Sequence, residues 1–156
     1  KVKIKSYLRP LILGSVDGII TSFVIIAGGI AGSVSKNSVI IIGFSSLIAD
    51  AFSMGTSEYL SSRTEYSIKE SLIHGFSCFI SFILFGMIPL IAYSLSSVFE
   101  LGASILSFVA CLVLVALFKS YLSDVFVLSS LFEIITLGSI AGGIAYGIAF
   151  LSASLQ

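Results

Sequence analysis

Asp50, Met54 and Glu58 stand four residues apart inside the apolar stretch Ile48-Ala49-Asp50-Ala51-Phe52-Ser53-Met54-Gly55-Thr56-Ser57-Glu58. On a helix that spacing stacks two carboxylates and a thioether along one face. Ser46, Ser53, Ser57 and Ser61 lie on or beside it. If the helix crosses a bilayer, each intramembrane carboxylate costs about 2.5–3.5 kcal/mol. Such a cost implies a partner or a function, and the stripe reads as the lining of a path for a divalent metal ion. The thioether is soft and the carboxylates are hard, a mixture that suits Fe²⁺-like ions better than Mg²⁺ or Ca²⁺.

A second intramembrane acid, Asp17, sits in Gly14-Ser15-Val16-Asp17-Gly18, with Thr21 and Ser22 following. Acids inside membrane segments serve by default as ion ligands or proton carriers; the rival is a structural carboxylate bonded to another span. A carboxylate in oil holds a proton that an arriving cation displaces, so metal entry and proton release are coupled. The metal-handling set is therefore Asp17, Asp50, Met54 and Glu58. The metal is cargo, and no resident cofactor is implied.

The remaining polar groups are weaker candidates. Glu58 either draws cations at the mouth of the path or pairs with Arg63. Glu65 and Glu70 read as solvated connector charges, Glu100 and Asp124 as turn acids, and His74 as an interfacial residue. Glu133 either joins the path or binds a basic end. Cys78 and Cys111 fall in apolar runs and read as packing residues. Neither a nucleophile–base pair nor an HExxH motif is present, so nothing points to an enzyme.

These groups must be positioned by membrane helices. Of the 156 residues 57% are hydrophobic and only 10% charged, far below a soluble domain. The mean hydropathy of +1.15 agrees. A net charge of zero argues against a nucleic-acid partner; lipid and small ions remain. Five spans are expected, at about 10–32, 39–61, 72–95, 101–121 and 126–152. They form a single transmembrane domain, all α-helical. Pro10 is expected in the first turn of the first span, and residues 62–71 form a connector. No cleavable signal pattern is evident, and sequence before Lys1 is expected to be missing. Trp is absent, so interfacial aromatics fall to Tyr7, Tyr59, Tyr93 and Tyr121.

A cytoplasmic N-terminus places Lys1, Lys3, Lys5, Arg9, Arg63, Lys69 and Lys119 inside and only Lys36 outside, the bias expected of a membrane protein. Counting inward at ~1.5 Å per residue puts Asp17 and Met54 level, each about 9 Å deep, with Asp50 near the midplane. Glu58 falls at the cytoplasmic mouth. The pairs Gly28/Gly32, Gly138/Gly142 and Gly143/Gly147 are expected to pack helices closely, within the fold or across a homodimer.

At Asp17-Gly18-Ile19-Ile20-Thr21-Ser22-Phe23-Val24, and again at Leu47-Ile48-Ala49-Asp50-Ala51-Phe52-Ser53-Met54-Gly55 with Glu58-Tyr59-Leu60-Ser61, the chain resembles the vacuolar iron transporter family. The third span, with Phe82-Ile83-Leu84-Phe85-Gly86-Met87-Ile88-Pro89-Leu90, is similar to that family's third helix. The resemblance implies five transmembrane helices, a homodimer, and movement of cytosolic Fe²⁺ into a compartment in exchange for protons. It assigns the path-lining Asp and Met to Asp17 and Met54. The membrane would be vacuolar or otherwise internal in a eukaryote, and the plasma membrane in a bacterium. One departure stands out. Many members carry a Glu- and Met-rich cytoplasmic metal-binding domain between the second and third helices, where this chain has only residues 62–71. That loss motivates a rival expectation, a membrane interaction protein that keeps the scaffold without transporting.

Overall fold

A computed structural model describes residues 2–97, 99–123 and 127–155, and the side chains of all of these except 2–6, 122, 123 and 127. Five α-helices make up this structure: α1 Val2–Ala31, α2 Lys36–Ser62, α3 Ile68–Leu95, α4 Glu100–Ser123 and α5 Val127–Ser154. Each contains a segment of at least 22 residues that is long and apolar enough to cross a membrane. Even the shortest spans ~33 Å as a helix, enough for the ~30 Å hydrocarbon core. The chain is an integral membrane protein.

Element boundaries differ from expectation where local chemistry extends a helix. Pro10 does not start α1: the helix runs through it from Val2. Its ring is fully buried, so packing holds a residue that interrupts the backbone ladder. α3 begins at Ile68, not near residue 72, because Ser67 and Glu70 form a capping box, each side chain accepting from the other's backbone N–H. The connector thus shrinks to residues 63–67. The turn expected at Asp124 lies outside the described residues.

At the other end, α1 stops in a reciprocal pattern: Val34 N–H bonds the Gly29 carbonyl at 2.9 Å and Ser33 N–H the Ile30 carbonyl at 3.1 Å. Ser33 takes the left-handed position with φ 55°, where glycine is usual. Ser35 then caps α2 by accepting from Ser38 N–H at 3.2 Å.

α1 and α3 form the centre. α1 touches all four other helices, whereas α2 touches only α1 and α3 among the described residues. α4 and α5 cover the other side of α1. Two apolar cores result. Ile26, Val39, Leu47, Ala51, Phe82 and Leu90 join α1, α2 and α3, while Ile19, Phe108, Leu112, Val115 and Ile134 join α1, α4 and α5.

Glycines set how closely the central helices approach. A methyl group on Gly14 would collide with the Cys78 carbonyl, and one on Gly18 with the Phe82 carbonyl. α1 and α3 therefore run parallel, backbone against backbone. α2 crosses α3 antiparallel, with Gly55 against Gly75, Gly86 against Leu47, and Gly43 against Leu90. Of the glycine pairs expected to do this, Gly138 and Gly142 pack closely, against Phe108 of α4 and Phe23 of α1, whereas Gly143 and Gly147 have nothing near them in this copy and Gly28 meets only Ala149, at 3.9 Å. Small size marks a possible contact, but the helix's rotation decides whether that face is used.

Lys36 ties the turn end together. Its ammonium sits 3.1 Å from Glu100 Oε1, donates to the Ser96 carbonyl, and lies 5.4 Å from the centre of the Tyr93 ring. Tyr93, expected at the lipid interface, is instead buried beneath that lysine.

Candidate metal path and its mouth

The seam of α2 is Val39, Gly43, Leu47, Ala51 and Gly55, all buried and each four residues from the next. Asp50 and Met54 each lie one residue before a seam position, and Glu58 continues their line one turn on, so the stripe follows the seam's edge. Met54 and Glu58 are half-buried. Asp50 is exposed on a helix whose outer side no other described element covers. Ser53 and Ser57 are exposed beside it, and Ser46 is half-buried.

Asp17 is half-buried on α1. Its neighbour Gly18 abuts Phe82, and Phe82 shares a core with Leu47 and Ala51. Asp17 therefore lies level with Asp50, and the two carboxylates interact electrostatically. This register differs from the depth count, which set Asp17 beside Met54, one helical turn nearer the connector. The count took its zero from assumed helix ends; the glycine contacts fix the true register. Cys78 is a buried free thiol on α3. It lies within electrostatic range of both Glu58 and Asp17.

Among the described residues no three His, Cys, Asp or Glu side chains are placed to share a metal ion. One copy presents two carboxylates and a thioether along an edge, without a closed cage.

At the connector end, Arg9, Glu58, Ser62, Glu65, Tyr66 and His74 line a polar cavity of about 120 Å³. Here sequence reasoning fell short. His74 is not interfacial but buried, with 3% of its surface exposed. Tyr7 and Tyr66 meet its ring edge-on, with centroids at 5.1 and 4.8 Å. Its Nδ1 is 3.1 Å from Ser62 Oγ, and Ser62 donates to Glu58 Oε1 at 3.2 Å, long for a hydroxyl donor. Glu58 is thus bound by Ser62 and makes no ion pair with Arg63. Only the i, i+4 spacing of Glu58 and Ser62 foreshadowed this; the approach of His74 is tertiary. Glu133 binds a basic end: it meets Lys119 at 3.2 Å, and its carboxylate stays mostly exposed.

The comparisons with known proteins agree with the motifs. Residues 8–74 and 65–150 match the model of the VIT family, two pieces that overlap over residues 65–74. The vacuolar iron transporter of Plasmodium berghei (strain Anka) is 48% identical over 61 residues, 39% of this chain and 22% of that protein. That of Plasmodium falciparum (isolate 3D7) has the same identity and coverage. The vacuolar iron transporter of Toxoplasma gondii (strain ATCC 50861 / VEG) is 38% identical over 65 residues, 42% of this chain and 22% of that protein. The matched stretch is thus about a fifth of the length of these relatives. The family match, in contrast, runs from residue 8 to residue 150 through all five helices, and on it the chain belongs to the VIT family.

Proposed function

We propose that this chain moves a divalent metal ion, Fe²⁺ foremost and Mn²⁺ also, out of the cytoplasm in exchange for protons. The observation that carries the reading is the level placement of Asp17 and Asp50 on adjacent membrane helices, with Met54 one turn away. Two acids within electrostatic range of each other at membrane depth are costly unless a cation or protons neutralise them. The thioether biases the choice toward softer ions. The names of the relatives, vacuolar iron transporters, point the same way.

The working unit in this reading is a homodimer. Asp50 lies exposed on α2, and one copy offers too few donors for a cage. A second copy apposed on that edge doubles the ligand set and removes the carboxylate from lipid. The excess of Lys and Arg at the connector end supports a cytoplasmic N-terminus, with Glu58 at the cytoplasmic mouth drawing cations in.

The test is metal uptake into liposomes carrying the purified protein, driven by a pH gradient. Asp17→Ala is expected to abolish flux, and Met54→Ala to weaken Fe²⁺ flux more than Mn²⁺ flux. Wild-type flux in Asp17→Ala would end the proposal. The rival, a scaffold that does not transport, draws on the short connector. It requires Asp17→Asn to harm folding while the native chain moves no metal, so expression and flux measured on one variant separate the two.

A further inference from the structure

Followed from Asp50 toward the turn end, the line of the acid stripe on α2 runs into packed side chains. Ser46, one turn on, is half-buried. Beyond it Val39 is buried and presses on α1, where a methyl group on Gly29 would collide with it. Lys36 is the first residue of α2. It stands five helical turns before Met54 and so shares the line of the stripe. At the connector end the same line ends in a polar cavity that Glu58 lines. The stripe is thus open toward the connector and shut toward the turn.

The two halves of α2 are held by different means. In the connector half, backbone meets backbone. A Cβ on Gly75 would lie 2.6 Å from the Gly55 carbonyl oxygen, and one on Gly55 would lie 2.9 Å from that of Gly75. In the turn half, side chains make the contacts: Val39 against Gly29, Leu90 against Gly43, and Lys36. The Lys36 ammonium reaches three groups beyond α2. It meets Glu100 Oε1 of α4 at 3.1 Å, donates to the Ser96 carbonyl, and lies over the Tyr93 ring of α3. Side chains can give way by changing rotamer, whereas a backbone crossing cannot. The Gly55–Gly75 crossing is therefore the fixed point of α2, and its turn end is the part free to swing.

We infer that Lys36 is the clasp of a gate at the turn end. Its ion pair with Glu100 holds α2 against α1 and α3 and keeps the stripe closed beyond Ser46. When the clasp opens, α2 tilts about the Gly55–Gly75 crossing. Val39 is ~24 Å along the helix from Gly55, so a tilt of ~10° carries it ~4 Å from Gly29, room enough for an ion to pass. This deepens the proposed function and rests on it: metal loaded at Asp17 and Asp50 leaves past Ser46 and Val39.

Ser46→Cys places a thiol just inside the gate. In vesicles of known sidedness, a membrane-impermeant thiol reagent is applied from the turn side. The chain without that substitution gives the background from the buried Cys78 and Cys111. Lys36→Gln and Glu100→Gln are each expected to speed labelling of Ser46→Cys about tenfold, the equivalent of one charge-assisted hydrogen bond. The exchange of Lys36→Glu with Glu100→Lys is expected to bring the rate back toward native. A merely structural pair would loosen the whole bundle, and labelling of Cys78 and Cys111 would rise in step.

Native labelling of Ser46→Cys in both single variants overturns the clasp, as does a rise matched by Cys78 and Cys111. Labelling needs no metal, so either result leaves the transport reading standing. A native chain that moves no metal in the flux assay removes that reading and the gate with it.

Discussion

Adding one methyl group at Gly55 tests the packing that positions the acid stripe. A Cβ there would lie 2.9 Å from the Gly75 carbonyl oxygen and 2.9 Å from Phe79 Cβ. Ordinary contact begins near 3.4 Å, so α2 must withdraw from α3 by about 0.5 Å. A gap of that size forfeits about a quarter of the dispersion well for each atom pair it opens. The pairs at risk involve Leu47, Ala51 and Phe82, all essentially inaccessible to solvent. Overpacking of this kind costs about 1–3 kcal/mol. Alanine also gains helix propensity over glycine, by up to ~1 kcal/mol, which masks part of the loss. Gly143→Ala supplies the control, because its Cβ meets nothing within 4 Å and only the propensity changes. The difference between the two substitutions isolates the crossing, and Gly55→Ala is expected to be about 1–3 kcal/mol less stable than Gly143→Ala. Gly75→Ala should be worse, since its Cβ would lie 2.6 Å from the Gly55 carbonyl oxygen. Reversible unfolding in mixed micelles measures all three. Equal stabilities for Gly55→Ala and Gly143→Ala would refute the argument that this close approach holds α2 in register.

Two further outcomes follow from the turn end. Ser33 holds a left-handed conformation that costs a non-glycine residue about 1–2 kcal/mol, so Ser33→Gly should raise stability by ~1 kcal/mol in the same unfolding assay; a loss would show that the serine side chain matters more than its backbone. Lys36→Ala should cost about 1–2 kcal/mol, because the half-buried ammonium joins Glu100, the Ser96 carbonyl and the Tyr93 ring. Glu133→Gln should cost less than Lys36→Ala, since it removes one ion pair, at 3.2 Å from Lys119, where Lys36 joins three groups. The reverse order of these two losses, read from thermal melts, would contradict the weighting by number of contacts.

The order of helices was legible because it depends on quantities carried by consecutive residues. Long apolar runs leave a chain few options in a bilayer, since only a helix satisfies its own backbone there. The stripe of Asp50, Met54 and Glu58 was legible for the same reason: four-residue spacing on one helix needs no knowledge of any other. The start of α3 was misjudged because the solvated residues 67–70 look like loop by composition, although Ser67 and Glu70 are a capping pair. Every relation between helices lay beyond reach. Asp17 lies level with Asp50 rather than Met54, because backbone contacts at Gly14, Gly18 and Gly86 set the slide of α1 and α2 along α3. His74 looked like a lone polar residue at a span end, yet residues from α1, α2 and the connector enclose it. The amino-acid order by itself determined a five-helix membrane protein with acids at membrane depth, because hydropathy and helical period are local. Which acid meets which, and where the histidine is held, only the packed helices decided, because one turn of sliding moves a side chain ~5.4 Å without changing the sequence pattern at all.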